Sequence, residues 1–267
     1  MQYKGAVFFD YDGTLADERE QIYYPTPTTV KALKALRQNG YMTVLASGRA
    51  KCYIPTTDAD FDGYITVNGA CAEVNGKVVH TDYFNSQDTV ALIDKFDEMG
   101  LYYAIETREK CYAKDINNIG FSAMLDNFNI PKNVFVNLDR NNIPQISKMI
   151  LVYDDDREID ELSENFKNKF LFYKHRAYPS VDVTKVGVDK SMGVEAICRE
   201  FNIPLERTYA FGDGTNDYGM LKFCTHGIAM GEHSKVLDSV AEEITDTVAN
   251  EGIYKALVKY GLIKCKL

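Results

Sequence analysis

The sequence predicts an α/β protein whose central β-sheet is mainly parallel and carries helices on both faces. Residues 5–9 and 41–46 are apolar runs without polar alternation, as expected for strands buried on both faces. Apolar residues at helical spacing occupy the segment 27–40 between them, so the three elements form a βαβ unit, expected to be right-handed. Several such apolar runs also end in polar or acidic residues, which is typical of strands that lead into a binding site.

The first elements have recognisable boundaries. Thr28 is suited to cap the start of the first helix, and the Asn-Gly pair at 39–40 provides a stop. A short apolar run at 63–67 predicts a further strand. The segment 72–79 contains a central Asn-Gly pair and predicts a β-hairpin.

The sequence pattern changes over residues 86–181, which have helices and strands of their own and predict an inserted α/β domain. Helical patterns occur at 86–100 and 156–168, and strand-like runs at 101–106, 148–153 and 169–174. The predicted core domain therefore consists of residues 1–85 and 182–267. After the insertion, the pattern predicts helices at 190–201, 218–223 and 252–260 and strands at 208–211 and 225–230.

Three apolar runs far apart in the sequence end in residues that can bind ligands. Phe9 leads into Asp10, Ala46 into Ser47, and the 208–211 run into Gly212-Asp213. Ligands of open parallel sheets bind outside the carboxyl ends of the strands, so these ends are expected to converge.

The residue types at these strand ends favour phosphoryl chemistry. Asp10, Asp12 and Asp213 would repel one another, and Mg²⁺ resolves such repulsion because it prefers carboxylate, water and phosphate oxygens. The Ser47 hydroxyl, and Lys190 at the start of a helix, suit a bound phosphoryl group. A carboxylate that attacks phosphorus would give an aspartyl phosphate.

Composition narrows the function classes. The formal net charge of −9 argues against broad binding of nucleic acid or anionic membranes. No apolar run approaches the length of a membrane span, and no signal peptide is expected at the start. The six cysteines are scattered without a Cys-x-x-Cys pair, which favours a reducing compartment, most simply the cytoplasm.

Four motifs together resemble those of the haloacid dehalogenase (HAD) superfamily of phosphotransferases, and their order also matches. They are Asp10-Tyr11-Asp12-Gly13-Thr14-Leu15, Ser47-Gly48-Arg49, Lys190 within Gly187-Val188-Asp189-Lys190-Ser191, and Gly212-Asp213-Gly214-Thr215-Asn216-Asp217. Two further segments resemble the Cof-type branch, which carries a large α/β cap: Asn68-Gly69-Ala70 and Gly227-Ile228-Ala229-Met230-Gly231.

The resemblance implies a Rossmann-like core and a division of roles among the acids. Asp10 would be the nucleophile and also bind Mg²⁺. Asp12 would be the general acid and then the base, with its backbone carbonyl on the metal. Asp213 would be a metal ligand. Asp217 would complete the metal site, either directly or by orienting metal-bound water or Lys190.

The resemblance also implies a phosphate site and a cap. Ser47, Gly48, Lys190 and Asn216 would hold or orient the phosphoryl group. Only 34 residues lie between Asp12 and Ser47, too few for a lid, whereas the inserted domain lies between Ser47 and Lys190. That is the cap position of type IIB, where a lid would exclude water and shape substrate specificity.

The predicted function is that of a Mg²⁺-dependent phosphatase acting on a small phosphorylated metabolite, such as a sugar phosphate, through an aspartyl-phosphate intermediate. Two alternatives stay open at this point. One is a phosphomutase of the same superfamily, and the other is a regulator that binds a phosphometabolite without turnover. The sequence names neither the substrate nor the oligomeric state.

Overall fold

The computed structural model describes residues 3–55, 58–175 and 178–265. The chain divides into two compact units. Unit 1 comprises Met1–Gly48, Pro55–Thr81 and Asp189–Leu267, and unit 2 comprises Arg49–Ile54 and Asp82–Val188. Unit 2 extends beyond the segment 86–181 at both ends and takes in a short piece of chain directly after Gly48.

The described residues form strands and helices in the following order. The strands are β1 (Gly5–Asp10), β2 (Tyr41–Ala46), β3 (Gly63–Thr66), β4 (Cys71–Val74), β5 (Lys77–Thr81), β6 (Tyr102–Glu106), β7 (Cys111–Ala113), β8 (Phe135–Asn137), β9 (Lys148–Val152), β10 (Phe170–Lys174), β11 (Ser180–Lys185), β12 (Thr208–Gly212), β13 (His226–Ala229) and β14 (Glu243–Ile244). The α-helices are α1 (Pro27–Gln38), α2 (Ser86–Glu98), α3 (Ile119–Asn127), α4 (Asp156–Phe166), α5 (Lys190–Glu200), α6 (Tyr218–Phe223) and α7 (Gly252–Lys259).

Unit 1 is built on a sheet with the strand order β14-β13-β12-β1-β2-β3-β4-β5. The pairs from β14 to β3 are parallel, and β4 and β5 add an antiparallel hairpin at one edge. Strand β1 lies between β2 and β12, so the chain builds the sheet outward from β1 in both directions. Such a reversal of strand order creates a crevice at the carboxyl ends of the strands.

The core of unit 1 explains why its strands lack polar alternation. Ala6 and Phe8 pack with Val194 and Ile197 of α5 on one face of the sheet. On the other face, α1 packs on β2 and against α7, and Phe9 of β1 is fully buried. Both faces are therefore covered, which confirms the α/β fold with helices on both sides of a mainly parallel sheet.

Local signals set the helix ends. Thr26, rather than Thr28, caps α1: its side chain accepts a hydrogen bond from the Thr29 backbone N–H, and Pro27 occupies the first helical turn. The prediction of Thr28 was wrong because proline is well suited to the first helical position, so that the helix begins at Pro27 and the cap lies two residues earlier than expected. Asn85 caps α2, one residue before the predicted start.

Unit 2 contains a sheet with the order β10-β11-β9-β6-β7-β8, antiparallel except for the β7–β8 pair. Its apolar face packs on helices α2 and α4, with Leu92, Ile93, Ile159 and Leu162 in the core.

The opposite face of this sheet is also buried and carries an ion network beside apolar residues such as Ala104 and Ile150. Lys148 is 3% exposed, and its Nζ lies 3.2 Å from Glu106 Oε2 and 3.1 Å from Asp182 Oδ2.

Among the described residues, no helix has the length and apolar character needed to cross a bilayer.

Candidate active site

Three neighbouring strands of unit 1 end at the same edge of the sheet. Asp10 is the last residue of β1 and pairs in register with Ala46 of β2, directly before Ser47. On the other side of β1, Phe9 pairs with Phe211 of β12, two residues before Asp213. The rings of Phe9 and Phe211 stack with centroids 5.2 Å apart, which fixes the two strands side by side beneath the acids.

Lys190 is the buried cation of this edge. Its ammonium forms an ion pair with Asp10, and its Nζ lies 2.6 Å from Asp217 Oδ1. All three residues are 5% exposed or less. Lys190 is the first residue of α5, and the Asp189 side chain caps that helix by accepting from the Ser191 backbone N–H. The cap thus sets where α5 begins and directs Lys190 toward the acids.

Asp217 connects the lysine to the loop after β12. Its second oxygen, Oδ2, accepts hydrogen bonds from the backbone N–H groups of Asp213 and Gly214, each at 2.9 Å. The Thr14 hydroxyl donates to Asp213 Oδ1 at 3.2 Å. Both acids of this loop are therefore oriented from within unit 1.

Gly13 permits the close approach of the first and fourth motifs. Its φ is +91°, and a Cβ at this position would lie 2.2 Å from Asp213 Oδ2. Only glycine fits here, because other residues would meet both a left-handed backbone and the carboxylate.

Three carboxylates are grouped tightly enough to hold a metal ion. Ligand oxygens of Asp10, Asp213 and Asp217 all lie within 4.8 Å of one another. With the single ammonium of Lys190 the group carries an excess of negative charge, which fits binding of a hard cation through oxygen ligands. Asp12 lies at the same edge but is exposed, and its carboxylate is not in this group.

The pKa shifts of these groups fit a carboxylate cluster that binds a cation. Burial, followed by the nearby Asp217 carboxylate, raises the pKa of Asp10 well above its ordinary value, although Lys190 opposes the shift. The same two causes raise the pKa of Asp213 to about 7. Burial alone would lower the pKa of Lys190, but Asp10 and Asp217 raise it, so its ammonium stays charged.

Ser47 and Gly48 lie against a turn that follows β3. The Ser47 backbone N–H donates to Ile65 O at 2.8 Å, and Ser47 O accepts from the Asn68 N–H at 3.2 Å. A Cβ on Gly48 would lie 2.8 Å from Asn68 Oδ1. Asn216 is exposed, and its side-chain amide donates to the same Asn68 oxygen at 3.3 Å. Asn68 thus links the second and fourth motifs.

This turn is strained. Val67, Asn68 and Gly69 have φ values of 55°, 54° and 99°. A positive φ is a genuine outlier for a β-branched valine, and such strain concentrates at functional sites. A Cβ on Gly69 would lie 1.9 Å from the carbonyl of Asp189, so the turn is pressed against the start of α5. Sequence reasoning assigned no site role to Asn68, although the Asn-Gly pair signals a left-handed turn.

A model of the haloacid dehalogenase-like hydrolase family matches residues 7–257, which is nearly the whole chain. The chain belongs to this family. The match spans all four motifs and includes the segment that forms unit 2.

Two curated relatives of this HAD-family chain have phosphatase names. A Streptococcus pyogenes protein named "Putative bifunctional phosphatase/peptidyl-prolyl cis-trans isomerase" is 28% identical over 98% of the chain, but the match spans only 55% of that relative. The Bacillus subtilis protein named "Putative phosphatase YkrA" is 25% identical, and the match covers 97% of this chain and 98% of YkrA.

A solved structure of the family has the same fold. The HAD subclass IIB sugar phosphatase BT4131 is 27% identical and superposes with a TM-score of 0.81, covering 97% of this chain and 100% of that one. Together with the family match, these relatives confirm the enzyme class expected from the sequence, a phosphatase of the HAD superfamily with the subclass IIB fold.

Proposed function

We propose that the chain is a Mg²⁺-dependent phosphatase that hydrolyses a small phosphorylated metabolite, a sugar phosphate or a similar phosphomonoester, through an aspartyl phosphate on Asp10. The observation that carries the proposal is the placement of Lys190 between Asp10 and Asp217, beside Asp213. A nucleophilic carboxylate, a fixed cation and further carboxylates lie together at the sheet edge, as phosphoryl transfer requires.

The proposed metal site uses Asp10, Asp213 and Asp217, with the backbone carbonyl of Asp12 as a further ligand. Their oxygens match the ligand preference of Mg²⁺ for carboxylates together with waters and substrate phosphate oxygens. The bound ion would supply charge neutralisation for the phosphoryl oxygens. Asp217 also fixes Lys190, so it serves the site whether it binds the ion directly or orients the lysine.

Asp10 and Asp12 divide the covalent work in this proposal. An oxygen of Asp10 attacks phosphorus and the alcohol leaves, with its proton supplied by Asp12. Asp12 then takes a proton from water, which attacks phosphorus and releases phosphate from Asp10. The exposure of Asp12 suits a residue that exchanges protons with substrate and water.

Phosphate orientation is assigned to Ser47, Gly48, Lys190 and Asn216. Asn68 holds Asn216 and lies against Gly48, so it would position both. We also propose that unit 2 is the cap domain that sets substrate specificity, and that the protein works in the cytoplasm on a small molecule. The scattered cysteines, without a Cys-x-x-Cys pair, favour a reducing compartment.

The test is hydrolysis of p-nitrophenyl phosphate by purified Asp10→Asn with Mg²⁺. We expect activity to fall to background while circular dichroism and the unfolding temperature show a folded protein. Asp154→Asn provides a matched control, because Asp154 is an exposed aspartate of unit 2. Unchanged hydrolysis in Asp10→Asn would refute the mechanism.

Product analysis separates the phosphatase from the phosphomutase alternative. With a panel of phosphorylated metabolites, including hexose phosphates, a phosphatase releases inorganic phosphate in step with substrate loss. An isomeric sugar phosphate without released phosphate would instead identify a mutase.

A further inference from the structure

Two cysteine thiols of unit 2, remote in sequence from each other, lie in direct contact. Cys52 belongs to a 3₁₀-helix over Lys51–Tyr53, and Cys111 is the first residue of β7. Their Sγ atoms lie 3.3 Å apart. We propose that Cys52 and Cys111 are a redox modification site and form a reversible intramolecular disulfide when the protein meets a peroxide.

A hydrogen bond and a strand pairing hold the two segments that carry these thiols. Tyr53, next to Cys52, is buried and donates its hydroxyl to Glu106 Oε1 at 2.6 Å. Glu106 in turn pairs in register with Cys111 across β6 and β7. The short helix is therefore held to β6 by the residue next to Cys52, at the position that pairs with Cys111.

The two thiols differ in the way that a reactive and a resolving cysteine differ. Cys52 is exposed, and its hydrogen bond with Cys111 lowers its pKa below the ordinary value. Cys111 is buried; that hydrogen bond, together with its burial, raises its pKa. Reaction with a peroxide needs an accessible thiolate, so Cys52 is the residue that meets the oxidant.

The chemistry balances with one peroxide molecule per bridge. The Cys52 thiolate attacks a peroxide oxygen, so that an S–O bond forms, the O–O bond breaks and hydroxide leaves as water after protonation. The Cys111 sulfur then attacks the Cys52 sulfur. The S–S bond forms, the S–O bond breaks, and the departing hydroxide leaves as water with the Cys111 proton. Two thiols and hydrogen peroxide give one disulfide and two waters.

The disulfide would fix the position of the segment that carries Cys52. Residues Arg49–Ile54 belong to unit 2, yet they follow directly on Gly48 of unit 1. Oxidation would attach this segment covalently to β7, next to the end of β6 to which the Tyr53–Glu106 hydrogen bond holds it in the reduced protein.

The test uses the full chain with Cys265→Ser, since Cys265 is the other exposed cysteine among the described residues. Equimolar hydrogen peroxide should lower the thiols titrated after denaturation from five to three per chain, and dithiothreitol should restore them. Peptide mapping should find the Cys52 and Cys111 peptides joined and two hydrogens lighter than the separate thiol peptides.

Single variants decide the order of events. In Cys111→Ser, oxidation should stop at a Cys52 sulfenic acid that dimedone traps, and in Cys52→Ser the Cys111 thiol should survive the same treatment. Circular dichroism checks that each variant is folded. The proposal is overturned if peroxide leaves both thiols intact, or if Cys52 oxidises to a sulfinic acid or an intermolecular bridge without joining Cys111.

Discussion

Asp217 holds Lys190 with one carboxylate oxygen and the backbone of the Asp213–Gly214 loop with the other. The Nζ–Oδ1 distance is 2.6 Å, and both side chains are fully buried. One residue therefore couples the start of α5 to the loop that carries Asp213. The site depends on this coupling, since the same ammonium is also paired with Asp10.

Asp217→Asn tests this coupling. The amide retains an oxygen for one partner but removes the negative charge that stabilises the ammonium, so Lys190 and the loop should lose their fixed orientation. We expect kcat/KM for p-nitrophenyl phosphate to fall about 10–100-fold, the usual cost when a supporting partner of a metal site is lost. Asp154→Asn, assayed in parallel, should match the parent. A parent-like kcat/KM in Asp217→Asn would contradict the role.

The Asp213 carboxyl predicts a pH-dependent stability in the metal-free protein. Its folded pKa is raised to about 7 from an ordinary value of 3.8, so the folded state binds a proton more tightly than the unfolded state. The stabilisation from that proton is fully present below about pH 4 and is lost as the pH rises through about 7. In EDTA, the unfolding temperature should therefore fall between pH 5 and pH 7.5.

Two comparisons isolate the cause. Asp213→Asn should show a weaker fall over the same pH range, because the titrating group is gone. Excess Mg²⁺ should raise the unfolding temperature of the parent at pH 7.5, since ligands that bind only the folded state stabilise it. An unfolding temperature independent of Mg²⁺ at that pH would argue against a metal site at these carboxylates.

We expect the single methyl group added in Gly13→Ala to cause a loss of activity. The added Cβ would meet the Asp213 carboxylate at 2.2 Å while the backbone stays at a φ of +91°. Gly76→Ala is the matched control, because Gly76 also has a positive φ, of +78°, but nothing lies within 4 Å of its Cβ position. Both variants should lose about 1–2 kcal/mol from the left-handed backbone. Only Gly13→Ala should also lose kcat/KM, by about 10-fold or more.

The buried ions of unit 2 predict a large stability cost for one substitution. Lys148→Met would leave the buried Glu106 and the partly buried Asp182 without their ammonium partner, and should lower the free energy of unfolding by about 3–5 kcal/mol. Burial alone would raise the pKa of Asp182, but Lys148 lowers it to about 2, so the charge is present at neutral pH.

A triple variant provides the control for this prediction. Adding Glu106→Gln and Asp182→Asn to Lys148→Met removes the stranded charges, and urea unfolding should recover most of the lost stability. If Lys148→Met alone leaves the urea midpoint unchanged, the three residues do not form a coupled buried network.

The sequence predicts the elements of unit 1 well because its local and tertiary signals agree. The apolar strands, the Asn75-Gly76 hairpin turn and α5 all lie within a few residues of their expected positions. The acids at the ends of β1 and β12 could be predicted because they interrupt runs of apolar residues typical of buried strands. Their grouping within 4.8 Å required the register of β1 with both neighbours, which no local pattern encodes.

The elements missed between 107 and 147 are short or weakly patterned. Strands β7 and β8 have three residues each, too few for a period to emerge. Helix α3 begins at Ile119, whose exposed fraction is 86%, so its apolar residues do not mark a single buried face. The buried Lys148 was also unpredictable, because charged residues normally stay at the surface unless tertiary partners pair with them.

The distance in sequence between Asp10 and Lys190 also orders events during synthesis. Asp10, the proposed nucleophile, is synthesised 180 residues before its ammonium partner Lys190. At translation rates of about 5–20 residues per second, the interval between the synthesis of Asp10 and that of Lys190 is roughly 10–40 s. Every nascent chain that ends before α5 therefore carries the Asp10 carboxylate without the ammonium that holds it, so the proposed phosphoryl transfer would begin only after α5 has been made.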